Sequence, residues 1–166
     1  MQIFFDTEFT ALGIDPKLIS IGLVSEDGEQ TFYAELADTY RLDDCSDFAR
    51  EAVLPLLEGD TALMTMRELG ERLRAWLEKF GEPVKLATDS LSWDWPWIQE
   101  IFRELDAWPE NLDGRPALLH QMVSLPAFDQ EVERAFAEGL RRHHALDDAK
   151  TNRMGWLAAR VTGSRP

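Results

Sequence analysis

Cysteine and cationic residues are both scarce in this chain. Cys45 is the single cysteine among 166 residues. An intramolecular disulfide and a thiolate metal cluster are therefore excluded, and a reducing, cytoplasmic setting is the expectation. Lys and Arg together number 17 against 31 Asp and Glu, a formal net charge of −14. That balance excludes the basic track with which proteins grip long nucleic acids by their phosphates. Apolar runs such as Leu18-Ile19-Ser20-Ile21-Gly22-Leu23-Val24 fall far short of the roughly 20 residues that span a bilayer, so no membrane association is expected. The opening Met1-Gln2-Ile3-Phe4-Phe5-Asp6 lacks a basic lead and reaches a carboxylate early, which argues against a targeting segment.

Hydrophobic residues make up 45% of the chain and charged residues 29%, enough to build one buried core in a single domain over 1–166. The first 36 residues read as three strands, Gln2 to Glu8, Leu18 to Val24 and Gln30 to Glu35, with Asp27-Gly28 as a tight hairpin turn. From Ser46 to Lys79 the apolar positions take helical spacing, predicting two helices. Gly81-Glu82-Pro83 ends the second, and Val84 to Thr88 reads as a fourth, buried strand. A helix over roughly Trp95 to Leu105 has Pro96 in its first turn, where a missing N–H costs nothing. Leu118 to Leu125 reads as a fifth strand, Pro126 opens a helix through Ala137, and a final helix runs from Ala145 to Val161, leaving Thr162 to Pro166 as a frayed tail. This alternation predicts a mixed α/β layer structure.

Three groups of residues carry chemistry. In Phe4-Phe5-Asp6-Thr7-Glu8-Phe9 the two-residue period of a strand projects Asp6 and Glu8 from one face. Paired carboxylates beside apolar residues repel unless a cation compensates them, and hard oxygen ligands select Mg²⁺ or Mn²⁺. In a chain with 31 acidic residues, such a triplet also arises by chance as two solvated carboxylates. The second group is Arg141-Arg142-His143-His144-Ala145-Leu146-Asp147-Asp148. Residues five apart on a helix differ by about 140°, so His143 belongs to the preceding loop and Asp148 to the first turn, where amides and dipole favour an ionised ligand. The third is Asp94, between Trp93 and Trp95, a helix-start aspartate with Asp89 as its rival.

Taken together, the three groups resemble the DEDDh 3′ to 5′ exonucleases, which have the ribonuclease H-like fold. The family's D-x-E strand is similar to Asp6-Thr7-Glu8, its helix-opening Asp to Asp94, and its H-x-A-x-x-D to His143, Ala145 and Asp148, all in order along residues 2 to 161. The opening looks closest to small standalone bacterial exoribonucleases of the RNase AS type. The resemblance implies a mixed five-stranded sheet flanked by helices. It also implies two divalent cations, Mg²⁺ or Mn²⁺, held by Asp6, Glu8, Asp94 and Asp148, with His143 as general base in a two-metal hydrolysis releasing 5′-mononucleotides. The implied substrate is a single-stranded RNA 3′ end, adenylate-rich in the closest subgroup, with single-stranded DNA or a noncatalytic binding role as alternatives; a homodimer is the implied assembly. Phe9, Thr10 and Leu12 take the place where the family contacts the terminal nucleotide. Trp93, Trp95 and Trp97 cluster beside Asp94, and Trp93 is the candidate for stacking on a base. Setting aside the four ligand carboxylates still leaves a net charge of −10, so binding is expected to rest on the metals, Arg141, Arg142, Lys150 and stacking.

Overall fold

The computed structural model describes residues 1–122 and 125–163. Among the described residues six strands form one sheet in the order β4-β3-β2-β1-β5-β6. They are β1 (Gln2–Phe9), β2 (Leu18–Ser25), β3 (Thr31–Leu36), β4 (Leu63–Met64), β5 (Lys85–Thr88) and β6 (Ala117–Leu118). β2 runs antiparallel to β1 and β3, while β5 and β6 run parallel to β1 and β4 parallel to β3. Every residue of β2 is buried, as its unbroken apolar run requires of a strand covered on both faces. The predicted hairpin joins β2 to β3: Ser25 N–H donates to the Gln30 carbonyl, and Gly28 takes φ +83°, a conformation with little cost for glycine.

Five α-helices complete the described chain: α1 (Met66–Glu78), α2 (Leu91–Leu105), α3 (Leu119–Met122), α4 (Leu125–Ala137) and α5 (Ala145–Gly163). Thr65 caps α1 reciprocally with Glu68, whose N–H donates to Thr65 Oγ1 while Thr65 N–H donates to Glu68 Oε2. Leu69, Leu73 and Leu77 follow one another at four-residue spacing and bury its inner stripe. α1 and α2 cover one face of the sheet, where Ile3, Phe5, Leu86, Ile98 and Ile101 share a core with that stripe. α4 and α5 cover the other, around Phe4, Val24, Phe128 and Trp156.

The sheet thus has six strands rather than five. β4 and β6 are two residues each, too short to carry an alternating pattern. The expected strand from Leu118 to Leu125 reduces to Ala117–Leu118; the chain turns helical at Leu119, and residues 123–124 lie outside the described residues. Of the two helices expected between Ser46 and Lys79, the first is a π-helical turn (Ala49–Val53) followed by a 3₁₀ turn (Leu54–Leu56). Pro55 has no N–H to continue an α-helical ladder there. α2 begins at Leu91 rather than Trp95, which puts Pro96 inside the helix instead of in its first turn. Of the expected tail, Thr162 continues α5, and residues 164–166 lie outside the described residues. Among the described residues no helix is long and apolar enough to cross a membrane.

Candidate active site

The two-residue period of β1 decides which side chains meet at its end. Phe4 packs edge-on against Trp156 of α5, with ring centroids 5.2 Å apart. Asp6 and Glu8 continue that face. Thr7 faces the other way, toward α2, and donates its hydroxyl to Asp94 Oδ1 at 2.7 Å. Asp6 pairs with Gly22 on β2. A Cβ built on Gly22 would lie 2.2 Å from the Leu146 amide nitrogen, so the missing side chain lets the N-terminus of α5 rest directly on the sheet.

That contact brings the second group alongside the first. His143 lies in the turn before α5, as its spacing predicts, at φ +67°. Its N–H donates to Asp148 Oδ2 at 2.8 Å. Ligand atoms of Glu8, His143 and Asp148 lie within 4.8 Å of one another, and the same holds for Asp6, Asp89 and Asp94. The structure therefore brings together Asp6, Glu8, Asp94, His143 and Asp148, and it seats both Asp94 and its rival Asp89 beside Asp6. Asp94 is only 2% exposed. Thr88 donates a very short hydrogen bond to its second oxygen.

The site is electrostatically strained. Burial pushes Glu8 up to about 8, with Asp148 and Asp94 adding repulsion. Desolvation raises Asp6 well above the carboxylate range, reinforced by Asp94, Asp148 and Glu8. Asp94 rises to about 7 by burial, against the lowering effect of the Thr7 and Thr88 hydroxyls. Asp148 also rises to about 7 by desolvation, although the His143 amide opposes it. At the metal-free helix start, burial thus outweighs the lowering effect of the His143 amide on Asp148. Burial, assisted by Arg142, lowers His143 below its ordinary value and keeps the imidazole neutral at neutral pH. Divalent cations would offset this accumulation of negative charge, and the oxygen-rich donor set suits Mg²⁺ or Mn²⁺.

These residues line a cleft of about 430 Å³ together with Phe9, Leu12 and Trp93. Phe9 stacks on Trp93 with centroids 5.7 Å apart and planes at 18°. Trp93 is 41% exposed and Leu12 74%, so apolar surface borders the carboxylates. Trp95 instead packs against the core and meets Trp108 edge-on. Thr10 does not line the cleft. It is buried, and its Oγ1 accepts the Lys17 N–H, which pins the loop that leaves β1 after Phe9 and carries Leu12.

The expected cationic contacts are largely committed elsewhere. Arg141 bonds Asp147 at 2.7 Å and Glu58 at 3.0 Å, and Lys150 reaches Asp147 at 3.3 Å. Among the described residues Arg142 is the one Lys or Arg lining the cleft, and it pairs with Glu133 while lying over the Phe136 ring. Asp147 is therefore an ion-paired structural carboxylate. Sequence reasoning missed Thr7, Thr88 and Asn152, which orient the carboxylates, and Phe48, whose ring meets His143 edge-on at 4.9 Å. The signal for Thr7 was present in its position between Asp6 and Glu8; Phe48 and Asn152 depend on tertiary contacts that no local pattern encodes.

Residues 1–159 match the family of 3′-5′ exoribonuclease Rv2179c-like domains. The chain belongs to this family. No curated protein sequence matches it. Among solved structures, the nuclease domain of 3′hExo, a DEDDh family member bound to rAMP, is similar at a TM-score of 0.64 and 16% identity, over 98% of this chain and 91% of that one. Pop2p of S. pombe, in a form with Mg²⁺ and Mn²⁺ bound, is similar at 0.51 and 16% identity, over 97% and 81%. The mixed sheet with helices on both faces is thus the ribonuclease H-like fold of DEDDh nucleases. Membership of this Rv2179c-like family makes the chain a hydrolase of the nuclease class.

Proposed function

We propose that the protein is a 3′ to 5′ exoribonuclease that removes 5′-mononucleotides from single-stranded RNA ends with the help of two divalent cations. The observation that carries the proposal is the meeting of Asp6, Glu8, Asp94 and Asp148 with a neutral His143 in one cleft. Asp6, Glu8, Asp94 and Asp148 would hold the cations, Mg²⁺ or Mn²⁺. When bound, these supply charge neutralisation and activation of oxygen at the scissile phosphate.

In this reading His143 accepts a proton from the attacking water as the new oxygen–phosphorus bond forms. The bond from phosphorus to the 3′ oxygen of the preceding residue breaks, and that oxygen takes a proton from solvent water to end as a hydroxyl on the shortened strand. Phe9, Leu12 and Trp93 offer apolar and stacking surface to the terminal nucleoside, and Thr10 fixes the loop that carries Leu12. An adenylate-rich RNA fits a site that relies on stacking more than on cations, because purines present the larger ring face. A homodimer and a cytoplasmic setting complete the proposal, the latter supported by the single, buried, free cysteine.

The proposal is tested by incubating the protein with Mn²⁺ and matched RNA and DNA oligonucleotides, then separating the products. Release of 5′-monophosphates from the 3′ end, faster from RNA, is expected. Preferential release from DNA would assign the same chemistry to the other sugar. Binding without cleavage would make the domain a noncatalytic one.

A further inference from the structure

We infer that Asp89 is a fifth carboxylate of the metal site, acting with Asp6 and Asp94, rather than a surface acid that Asp94 displaces. This inference rests on the metal-dependent reading above and adds a ligand to the four that the resemblance assigns. Asp89 follows β5 directly and lines the cleft. One of its oxygens lies within 4.8 Å of ligand oxygens of both Asp6 and Asp94. Three carboxylates at that separation repel one another unless a cation joins them.

The neighbouring hydrogen bonds show how the ligands divide their work. Both Asp94 oxygens already accept a hydroxyl, Oδ1 from Thr7 and Oδ2 from Thr88, which leaves Asp94 rigid with only part of its lone-pair capacity free. Asp89 Oδ1 accepts from Asn152 Nδ2 at 3.0 Å. Asn152 is 4% exposed and sits one helical turn beyond Asp148 on α5. The same face of α5 thus supplies a carboxylate to one side of the cleft and, through Asn152, a fixed orientation for Asp89 on the other. Asp89 contributes ligand capacity where Asp94 is constrained.

The test is calorimetric titration of the intact protein with Mn²⁺ alone, comparing wild type with Asp89→Asn and Asn152→Ala. Asp89→Asn keeps the shape and the acceptor for Asn152, so the fold is expected to survive; circular dichroism checks this. The expected result is two Mn²⁺ per wild-type chain and at least about tenfold weaker binding of one of them in Asp89→Asn, the other being unchanged, with a smaller loss in Asn152→Ala. Two sites of wild-type affinity in folded Asp89→Asn would overturn the role of Asp89 and leave the proposed function standing. Wild type that binds no Mn²⁺ would overturn both.

Discussion

Gly22 and Leu146 are in backbone contact across the face of the sheet, so close that a Cβ on Gly22 would lie 2.2 Å from the Leu146 nitrogen. Gly22 is also the strand partner of Asp6. One residue without a side chain therefore sets the distance between the carboxylates of β1 and those of α5, which is the central dimension of the site.

Gly22→Ala is expected to push the N-terminus of α5 off the sheet. The clash is with backbone, which cannot rotate aside, so a loss of about 3 kcal/mol is expected from overpacking. Denaturant unfolding measures the loss. Nuclease activity should fall further than stability, because His143 and Asp148 move with the helix.

The pH dependence of the metal-free protein follows from its raised carboxylates. Glu8 titrates near 8 in the fold, far above its ordinary value, and Asp6 is also raised. Between pH 9 and 7 the folded state takes up protons that the unfolded state does not, so stability rises as pH falls through this window and is lost as pH rises. Thermal melts in chelator should show a higher melting temperature at pH 7 than at pH 9. Mg²⁺ or Mn²⁺ should raise the melting temperature at pH 9 and flatten the dependence.

Much of this fold was legible in advance, for physical reasons that differ by element. β2 shows continuous burial, and Asp27-Gly28 marks the hairpin that joins it to β3. The resemblance to the H-x-A-x-x-D motif separates His143 and Asp148 from His144 and Asp147, and the structure gives the latter two different work: His144 stacks on Tyr33, and Asp147 pairs with Arg141. α2 starts at Leu91, ahead of the start that Pro96 suggests as a first-turn proline, because packing carries the helix through it. The partnership of Asp89 with Asn152 joins residues far apart in sequence and leaves no local trace.

Removing the hydroxyls that orient Asp94 should disturb the site without emptying it. The Thr7 and Thr88 bonds lower the carboxyl that burial raises. Thr88→Val is therefore expected to raise the Asp94 pKa of the metal-free protein above about 7 and, by removing one of the two hydroxyls that orient the carboxylate, to weaken Mn²⁺ binding. Carbon-detected titration of the carboxyl in chelator checks the first, and calorimetric titration with Mn²⁺ the second.

RNA binding should depend only weakly on salt. Arg141 and Lys150 are held by Asp147, and Arg142 pairs with Glu133. With so few cations available for phosphates, the slope of log affinity against log salt is expected to be no steeper than about −1, as measured by anisotropy with Asp6→Asn. Trp93→Ala should raise KM roughly tenfold with a smaller change in kcat, the signature of lost base stacking.

The most direct measurement is the rate at which a 5′-labelled single-stranded RNA shortens from its 3′ end in Mn²⁺, for wild type, Asp6→Asn and His143→Ala of verified fold. The account predicts a ladder for wild type and a loss of about 100-fold or more in each variant. Wild-type rates in folded His143→Ala or Asp6→Asn would contradict it.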